Sequence, residues 1–338
     1  MNLHDVGHSE KRRTVKAFPL AAAGVALLAA GSLFVGVSDV TVGALFGALF
    51  GAGASDQAVP ILLASRLPRT LALILAGAAM AVSGLILQML ARNKFVEPST
   101  AGTSESAIFG MLMVTLLVPG TPVIGRMLVA GVCALAGTGL FLAILRQVPL
   151  RSPLVVPLVG IMLGGVITAL TDFVAYRYDL MQSVRARETG DFSGMLSGRY
   201  ELLWISAALA GIAYAAADRF TVAGMGQDVT TNLGLDHRRI LALGLTIVSL
   251  STAAVIATCG MIPFLGLVVP NLVSLIRGDN MRGSLPWVAL SGAGLVLACD
   301  IAGRLVIHPF EIPIGTMMGI IGSGLFLYLL LRRNRHVG

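Results

Sequence analysis

Long runs of apolar residues constrain this chain more than any other feature of its sequence. They recur along the whole chain, for example at 67–90, 154–175 and 240–258. A helix rises about 1.5 Å per residue, so roughly 20 apolar residues cross the hydrocarbon core of a bilayer. A helix also pairs its backbone polar groups within one segment, which lipid demands of any spanning structure. The pattern therefore predicts an all-α, polytopic membrane protein.

Ten runs are candidates for membrane helices. They lie at 17–37, 67–90, 101–119, 124–145, 154–175, 201–217, 240–258, 261–277, 286–307 and 313–331. A Gly-rich stretch at 41–54 is shorter, and we interpret it as an interfacial or re-entrant piece. The first run follows basic residues, as the apolar core of a signal peptide does, but such a core has only about 7–15 residues. We therefore expect a membrane helix there.

The distribution of charge predicts the orientation. Only 12% of residues are charged, against about 25% in soluble domains. This is too few to cover the surface of a soluble protein of this length. An even number of spans places both termini on one side. If that side is the cytoplasm, 16 of the 24 basic residues face inward, as the positive-inside rule requires. The other eight are Arg66, Arg69, Arg126, Arg177, Arg185, Arg187, Arg199 and Arg304.

The sequence offers no motif for catalysis or for nucleic-acid binding. It has no phosphate-binding loop of the G-x-x-x-x-G-K-[ST] type, no H-E-x-x-H and no G-x-S-x-G. The basic residues lie between the apolar runs, without interleaved aromatic residues, so they do not indicate nucleic acid. Cys133, Cys259 and Cys299 each lie within an apolar run and are expected to be packed thiols. We predict no catalytic residue, no metal site and no cofactor in this chain.

A few charged residues lie within the predicted spans, where charge is costly. Asp300 and Arg304 are four residues apart and can pair on one helical face. Two interpretations remain open: a self-neutralising pair, or an Asp300 that orients Arg304 toward an external partner. Glu105 falls in the first turn of its helix, which suits an anion, although a proton relay is an alternative. Asp172 is expected at the rim of the fifth span.

One further expectation concerns helix packing. Gly315 and Gly319 form a G-x-x-x-G spacing in the last run. Small residues at this spacing let helices approach closely, within a subunit or between subunits.

Several motifs together resemble one family. The stretch "RLPRTLALILAGAAMAVSGLILQMLARNKFVEPSTAG" resembles the signature of the permease subunits of ATP-binding-cassette (ABC) importers for iron-siderophores, haem and vitamin B12. The stretches "GMGQDVTTNLGLD", "FLGLVVPNLVSLIRGDNMRGSLP" and "DIAGRLVIHPFEIPIGTMMG" agree with it, in the family's order. Three positions depart from the usual pattern: Lys94 replaces a proline, Pro263 a glycine and Asn271 a histidine. The variants are closest to ferric-siderophore members, especially catecholate types.

The resemblance implies one transmembrane permease domain over 1–338, with its membrane-spanning region at 17–331. It implies a dimer with a second permease, identical or related, two cytoplasmic ATPase subunits that bind ATP and Mg²⁺, and an extracytoplasmic siderophore-binding protein. The cargo would be a ferric siderophore, and the location the bacterial inner membrane with both termini cytoplasmic. Haem or cobalamin import is the alternative within the family. An ion-coupled secondary carrier is the alternative from another class.

The resemblance also implies which residues meet the partners. Arg66, Arg69 and Arg304 match outward-facing arginines that receive acidic residues of the binding protein, a task that suits the planar guanidinium. The alternative is that Arg66 and Arg69 only snorkel at the membrane interface.

The inner segment 218–239 would form short cytoplasmic helices that couple the ATPase to the gate, and the alternative is an ordinary loop. The residues that match the family's coupling positions are Gly226, Gln227, Asp228, Leu233 and Gly234.

Overall fold

The computed structural model describes residues 3–35, 62–148, 154–307 and 309–334. These residues form thirteen α-helices and no strand, which confirms the all-α prediction. The 41–54 stretch lies outside the described residues. The helices are α1 Leu3–Phe34, α2 Leu67–Leu90, α3 Thr103–Leu117, α4 Val123–Leu145, α5 Val155–Arg177, α6 Met181–Glu188, α7 Leu203–Ala215, α8 Ala217–Gly224, α9 Gln227–Asn232, α10 His237–Cys259, α11 Leu265–Arg277, α12 Met281–Val306 and α13 Ile314–Asn334.

Seven of the described helices are long and apolar enough to cross a membrane. They are α1, through its Ala17–Phe34 part, α2, α4, α5, α10, α12 and α13. The predicted run 201–217 corresponds to α7, which is followed by α8 after a bend of 66°, and the two qualify together as one broken span. The predicted runs 101–119 and 261–277 are the shorter apolar helices α3 and α11. Each predicted run thus lies on a helix, but three of these helices are short or bent.

Helix α2 lies at the centre of the bundle, and most of its residues are buried. Glycines let the neighbouring helices approach its backbone closely. A Cβ atom on Gly84 would lie 2.0 Å from the carbonyl oxygen of Gly266 in α11. A Cβ atom on Gly77 would lie 2.7 Å from the carbonyl oxygen of Gly292 in α12. Any larger side chain at these crossings would force the helices apart, as expected where small residues set membrane helix packing.

An irregular, partly buried segment, 91–102, lies between α2 and α3 and contacts the start of α11. Glu97 in this segment is 2% exposed, and its carboxylate accepts hydrogen bonds from the Ser99 hydroxyl (2.6 Å) and the Phe264 backbone N–H (3.0 Å). It therefore satisfies a donor at the start of α11, which helix termini leave unpaired. Asn271, which stands where the family pattern has a histidine, donates its side-chain N–H to the Lys94 carbonyl at 2.7 Å. Irregular backbone is tolerated at membrane depth only where such partners exist.

Helices α2 and α12 are antiparallel and define the two ends of the bundle. Arg69 at the start of α2 contacts Asp300 near the end of α12, whereas Gly77 meets Gly292 farther along. The 24 residues of α2 correspond to about 36 Å of helix. We call the end that carries Arg66, Arg69, Asp300, Arg304 and Glu311 the arginine end. The opposite end, which carries α8 and α9, is the coupling end.

Candidate partner-binding sites

At the arginine end, Arg69 holds two carboxylates at once. Its Nε and Nη2 donate to Asp300 Oδ1 at 3.1 and 2.7 Å, and its Nη1 donates to Glu311 Oε2 at 2.8 Å. The Arg69 side chain is 13% exposed, that of Asp300 is fully buried and that of Glu311 is 25% exposed. The guanidinium can bind two acids because its donors point in fixed, separate directions.

Arg304 pairs with the same buried acid. Its Nη2 donates to Asp300 Oδ2, one helical turn away, and to the Ser32 hydroxyl at 2.7 Å. The predicted pairing of Asp300 with Arg304 is thereby confirmed. Asp300 also binds Arg69, so it pairs with two arginines that are far apart in sequence.

Arg66 and Arg304 hold the end of α1. Arg66 Nη1 donates to the Leu33 carbonyl at 2.6 Å, and Arg304 Nη1 donates to the carbonyls of Ser32 and Val35. The last carbonyls of a helix lack intrahelical partners and carry partial negative charge, so cations are favourable there. Both arginines are largely buried, which differs from the outward-facing position that the resemblance implied.

The structure therefore brings the three predicted docking arginines together, but each has partners within the described chain. That they receive a partner's carboxylates stays a prediction. The sequence analysis missed Glu311, which is the one acidic residue after Asp300. Its isolation in a tail that otherwise carries only basic charge was the available signal.

At the coupling end, the segment 218–239 forms short helices, as predicted. Helix α8 ends at Gly224, and α9 begins after Gly226, whose φ is +116°. A Cβ atom on Gly226 would lie 3.2 Å from Arg92 Nη1, so glycine suits both the backbone and the space. Gly226 is buried, whereas the other four predicted coupling residues are exposed: Gln227, Asp228, Leu233 and Gly234.

The turn into α10 is built by local hydrogen bonds. Gly234 has a φ of +74° and open space around it. The Asp236 carboxylate then accepts hydrogen bonds from the backbone N–H groups of Arg238 (3.0 Å) and Arg239 (3.2 Å), an N-cap that starts α10 earlier than the apolar run at 240–258 suggested. Leu233 stands 62% exposed beside this turn.

A cavity of about 370 Å³ lies beside the coupling helices. Its lining includes Met89, Arg92, Lys94, Met225, Ser274 and Asp279. Lys94 Nζ pairs with Asp279 Oδ1 at 2.9 Å, and the Ser274 hydroxyl donates to the same oxygen at 2.7 Å. Burial disfavours the charged form of Asp279, but the hydrogen bonds and the Lys94 charge outweigh it and lower its pKa.

The remaining membrane acids are arranged as follows. Glu105 lies in the first turn of α3, as predicted, and lines cavities of about 170 and 460 Å³ against α5. Asp172 pairs with Arg185 at 3.2 Å near the end of α5, in agreement with a rim position. A proton relay through Glu105 stays a hypothesis.

The two glycines of the G-x-x-x-G spacing differ in their packing, and the three cysteines differ in their burial. Gly315 packs closely, since a Cβ atom there would lie 2.7 Å from the Gly190 nitrogen, but Gly319 meets nothing within 4 Å. Cys259 and Cys299 are buried, Cys133 is half-buried and all three are free thiols. Among the described residues, no group of three His, Cys, Asp or Glu side chains could hold a metal ion.

Comparison with known sequences finds one family model and several similar permeases that match most of this chain. The model of the FecCD transport family matches residues 24–332. The petrobactin import system permease protein YclN of Bacillus subtilis (strain 168) is 49% identical over 310 residues, which cover 92% of this chain and 96% of the relative. The ferric-anguibactin transport system permease protein FatD of Vibrio anguillarum is 41% identical over 271 residues, 80% of this chain and 86% of the relative.

Comparison with solved structures supports the same fold. A structure described as an inward-facing ABC transporter of the metal-chelate type superposes with a TM-score of 0.78, at 22% identity, over 94% of this chain and 99% of that one. At this identity the likeness concerns the fold alone. The family model and the two sequence relatives carry the assignment: this chain belongs to the FecCD transport family and is a membrane permease of it.

Proposed function

We propose that this permease carries a ferric siderophore across the bacterial inner membrane, driven by ATP hydrolysed on separate subunits. The relatives named above are permeases for two different siderophores, petrobactin and anguibactin. This supports a siderophore as the class of cargo. A ferric siderophore brings its own iron ligands, so the permease needs to accommodate the chelate and not the bare ion.

The coupling end carries this proposal. Helix α9 and the turn after it expose Gln227, Asp228 and Leu233. Helix α8 is joined to the apolar helix α7 through the 66° bend. A force applied to α9 from a neighbouring subunit would therefore reach a membrane helix within a few residues. Gly226 packs against Arg92, just beyond the end of α2, which offers a second connection to the central helix.

The same arrangement supports the proposed partners. Two cytoplasmic ATPase subunits would hold ATP and Mg²⁺ and bind the coupling end of each permease, through Gly226, Gln227, Asp228, Leu233 and Gly234. An extracytoplasmic siderophore-binding protein would dock at the arginine end, at Arg66, Arg69 and Arg304. Both chain termini would then be cytoplasmic.

A second permease, identical or related, completes the proposed assembly. Helix α5 leaves several large apolar side chains exposed, among them Leu158, Ile161, Met162, Val166, Leu170 and Phe173. Lipid or another permease can cover such a face, and a pathway between two subunits requires the latter.

Uptake by the reconstituted importer tests the proposal. The permease, its ATPase subunits and the loaded binding protein would be placed in liposomes, and entry of ⁵⁵Fe-labelled ferric petrobactin would be followed with internal ATP. We expect accumulation that requires ATP hydrolysis, and no accumulation with a non-hydrolysable ATP analogue.

Two outcomes would contradict the proposal. Accumulation by the permease alone, under an ion gradient and without nucleotide, would indicate a secondary carrier. ATP-dependent uptake of haem or cobalamin, with no uptake of any ferric siderophore tested, would show that the cargo is one of the family's other ligands.

A further inference from the structure

We propose that Glu311 is an internal substitute for the binding protein's carboxylate, and that docking exchanges one acid for the other on Arg69. This inference rests on the proposed function, since it presupposes that a binding protein docks at the arginine end. It adds a residue that determines how tightly the partner binds.

The two carboxylates that bind Arg69 differ in how easily they can be displaced from it. Asp300 is fully buried within α12, accepts two hydrogen bonds from Arg69 and also pairs with Arg304. Removing it would strand two buried cations, which is strongly unfavourable. Glu311 accepts one hydrogen bond from Arg69, at 2.8 Å, and is 25% exposed. Glu311 is therefore the carboxylate that can be exchanged.

The exchange requires only the side chain of Glu311 to move. The residue lies in the connection between α12, which ends at Val306, and α13, which begins at Ile314. The Ile312 backbone N–H donates to the Gly303 carbonyl at 3.1 Å. On the other side of Glu311, the Phe310 backbone N–H donates to the Ile307 carbonyl at 2.8 Å. The backbone is therefore held on both sides, and the partly exposed side chain is the part that can move.

The low exposure of Arg69 leaves an incoming carboxylate little room beside Glu311. The Arg69 side chain is only 13% exposed, and its Nη1 donor is occupied by Glu311. An incoming carboxylate can take over the Nη1 hydrogen bond that Glu311 accepts only after Glu311 has moved away, because Arg69 has little other exposed surface. Arg66 and Arg304 bind the last carbonyls of α1, so Arg69 is the arginine of this cluster whose partner can be replaced at the surface.

The charge balance favours a partner with an acidic side chain. Arg69 and Arg304 carry two positive charges and their partners Asp300 and Glu311 carry two negative ones, so withdrawal of Glu311 leaves these four residues with an excess of one positive charge. Replacement of one carboxylate by another preserves the charge-assisted hydrogen bond on Arg69. The cost of displacing Glu311 lowers the apparent affinity, because only the fraction of molecules with Arg69 open can bind.

Binding of the loaded binding protein tests this exchange. The intact importer, in lipid nanodiscs, would be titrated with its cognate binding protein loaded with ferric petrobactin. If about one molecule in ten has Arg69 open, Glu311→Gln should lower Kd by up to about tenfold. Glu311→Asp, which keeps the charge on a shorter side chain, should give an intermediate value.

Glu201→Gln is the matched control. It also removes one carboxylate, from a residue that accepts a hydrogen bond from the Gly198 N–H and takes no part in the arginine cluster. Tighter binding for Glu311→Gln than for Glu201→Gln supports the exchange. Equal or weaker binding for Glu311→Gln overturns it, because Glu311 would then only hold Arg69 in position.

Arg69→Gln separates failure of this inference from failure of the docking proposal. If Arg69→Gln leaves Kd unchanged, docking does not use this arginine, and both the exchange and this part of the proposed function are wrong. If Arg69→Gln weakens binding while Glu311→Gln does not tighten it, docking stands and the exchange alone is wrong. ATP-driven uptake of ferric petrobactin by the wild-type importer tests the transport function independently.

Discussion

The two ends of this bundle handle charge in opposite ways. At the arginine end, three arginines are largely buried and bind carboxylates or backbone carbonyls of the same chain. At the coupling end, Asp228, Leu233 and Gly234 are exposed, and the Lys94–Asp279 ion pair is 46% and 59% exposed at its two side chains. A protein that binds the arginine end must compete with internal partners, whereas one that binds the coupling end meets a surface that is already presented.

Loss of the shared acid at the arginine end should have the largest effect. Asp300→Ala leaves Arg69 and Arg304 without their common buried counter-ion, and we expect the free energy of unfolding to fall by about 3–5 kcal/mol. Unfolding of the detergent-solubilised protein, followed by circular dichroism, measures this.

The matched change at the coupling end is Asp279→Ala, which breaks an exposed ion pair and should cost less than about 1 kcal/mol. If the two variants were equally stable, the contrast between buried and exposed pairs would not hold.

The second-largest effect is expected on the affinity of the importer for its binding protein. Arg69→Gln removes the proposed recipient of the partner's carboxylate, and loss of one charge-assisted hydrogen bond of about 1.5–3 kcal/mol corresponds to a Kd at least tenfold higher. Arg126→Gln is the control, because within the described part of the chain the hydrogen bonds of Arg126 go to the backbone carbonyls of Thr121 and Pro119, just before α4. Surface plasmon resonance with the immobilised importer gives both constants, and a similar weakening by the two variants would argue against a specific role of Arg69.

At the coupling end, a side chain on Gly234 should separate ATP hydrolysis from transport. Its φ of +74° is strained for valine, by about 1–2 kcal/mol, although no atom would collide. We expect Gly234→Val to keep ATP hydrolysis and to lose most uptake. Gly278→Val is the control, with a φ of +75° and equally open space, but outside the coupling helices. Equal loss of uptake in both variants would indicate strain alone.

The smallest expected effect is a pH dependence at the coupling end. Because the pKa of Asp279 is lowered in the folded protein, its pair with Lys94 stabilises the fold above the ordinary pKa of aspartate, and this contribution is lost as the pH falls through the lowered value. The pair is more than half exposed at Asp279, so the contribution stays below about 1 kcal/mol after screening. The difference in Tm between wild type and Asp279→Asn should shrink at acidic pH, and a constant difference would contradict this.

Much of the fold was predictable because membrane helices are specified locally. An apolar run of sufficient length becomes helical in lipid whatever it packs against, so each of the ten predicted runs lies on a helix. The Asp300–Arg304 pair was predictable for the same reason, since four residues of helix bring the two side chains together. The start of α10 lay earlier than its apolar run because Asp236 caps it, a signal carried by one side chain and not by hydropathy.

The candidate sites were predictable only in part. The coupling segment has a local signature, in which glycines interrupt short helices, and the structure shows those helices. The partners of the arginines have no local signature. Arg69 and Asp300 are 231 residues apart, and Arg69 and Glu311 are 242 apart. No spacing rule for helices or turns extends over such distances.

The sequence by itself determined the class of protein, the positions of its membrane helices and the family to which it belongs, because hydropathy, helical spacing and motifs are properties of contiguous residues. Only the tertiary structure decided that Asp300 pairs with two arginines and that Glu311 pairs with Arg69. The physical reason is that α2 and α12 pack antiparallel through Gly77 and Gly292, which aligns the start of one helix with the end of the other. A charge in a membrane protein finds its partner through such packing, and the packing depends on contacts across the whole chain.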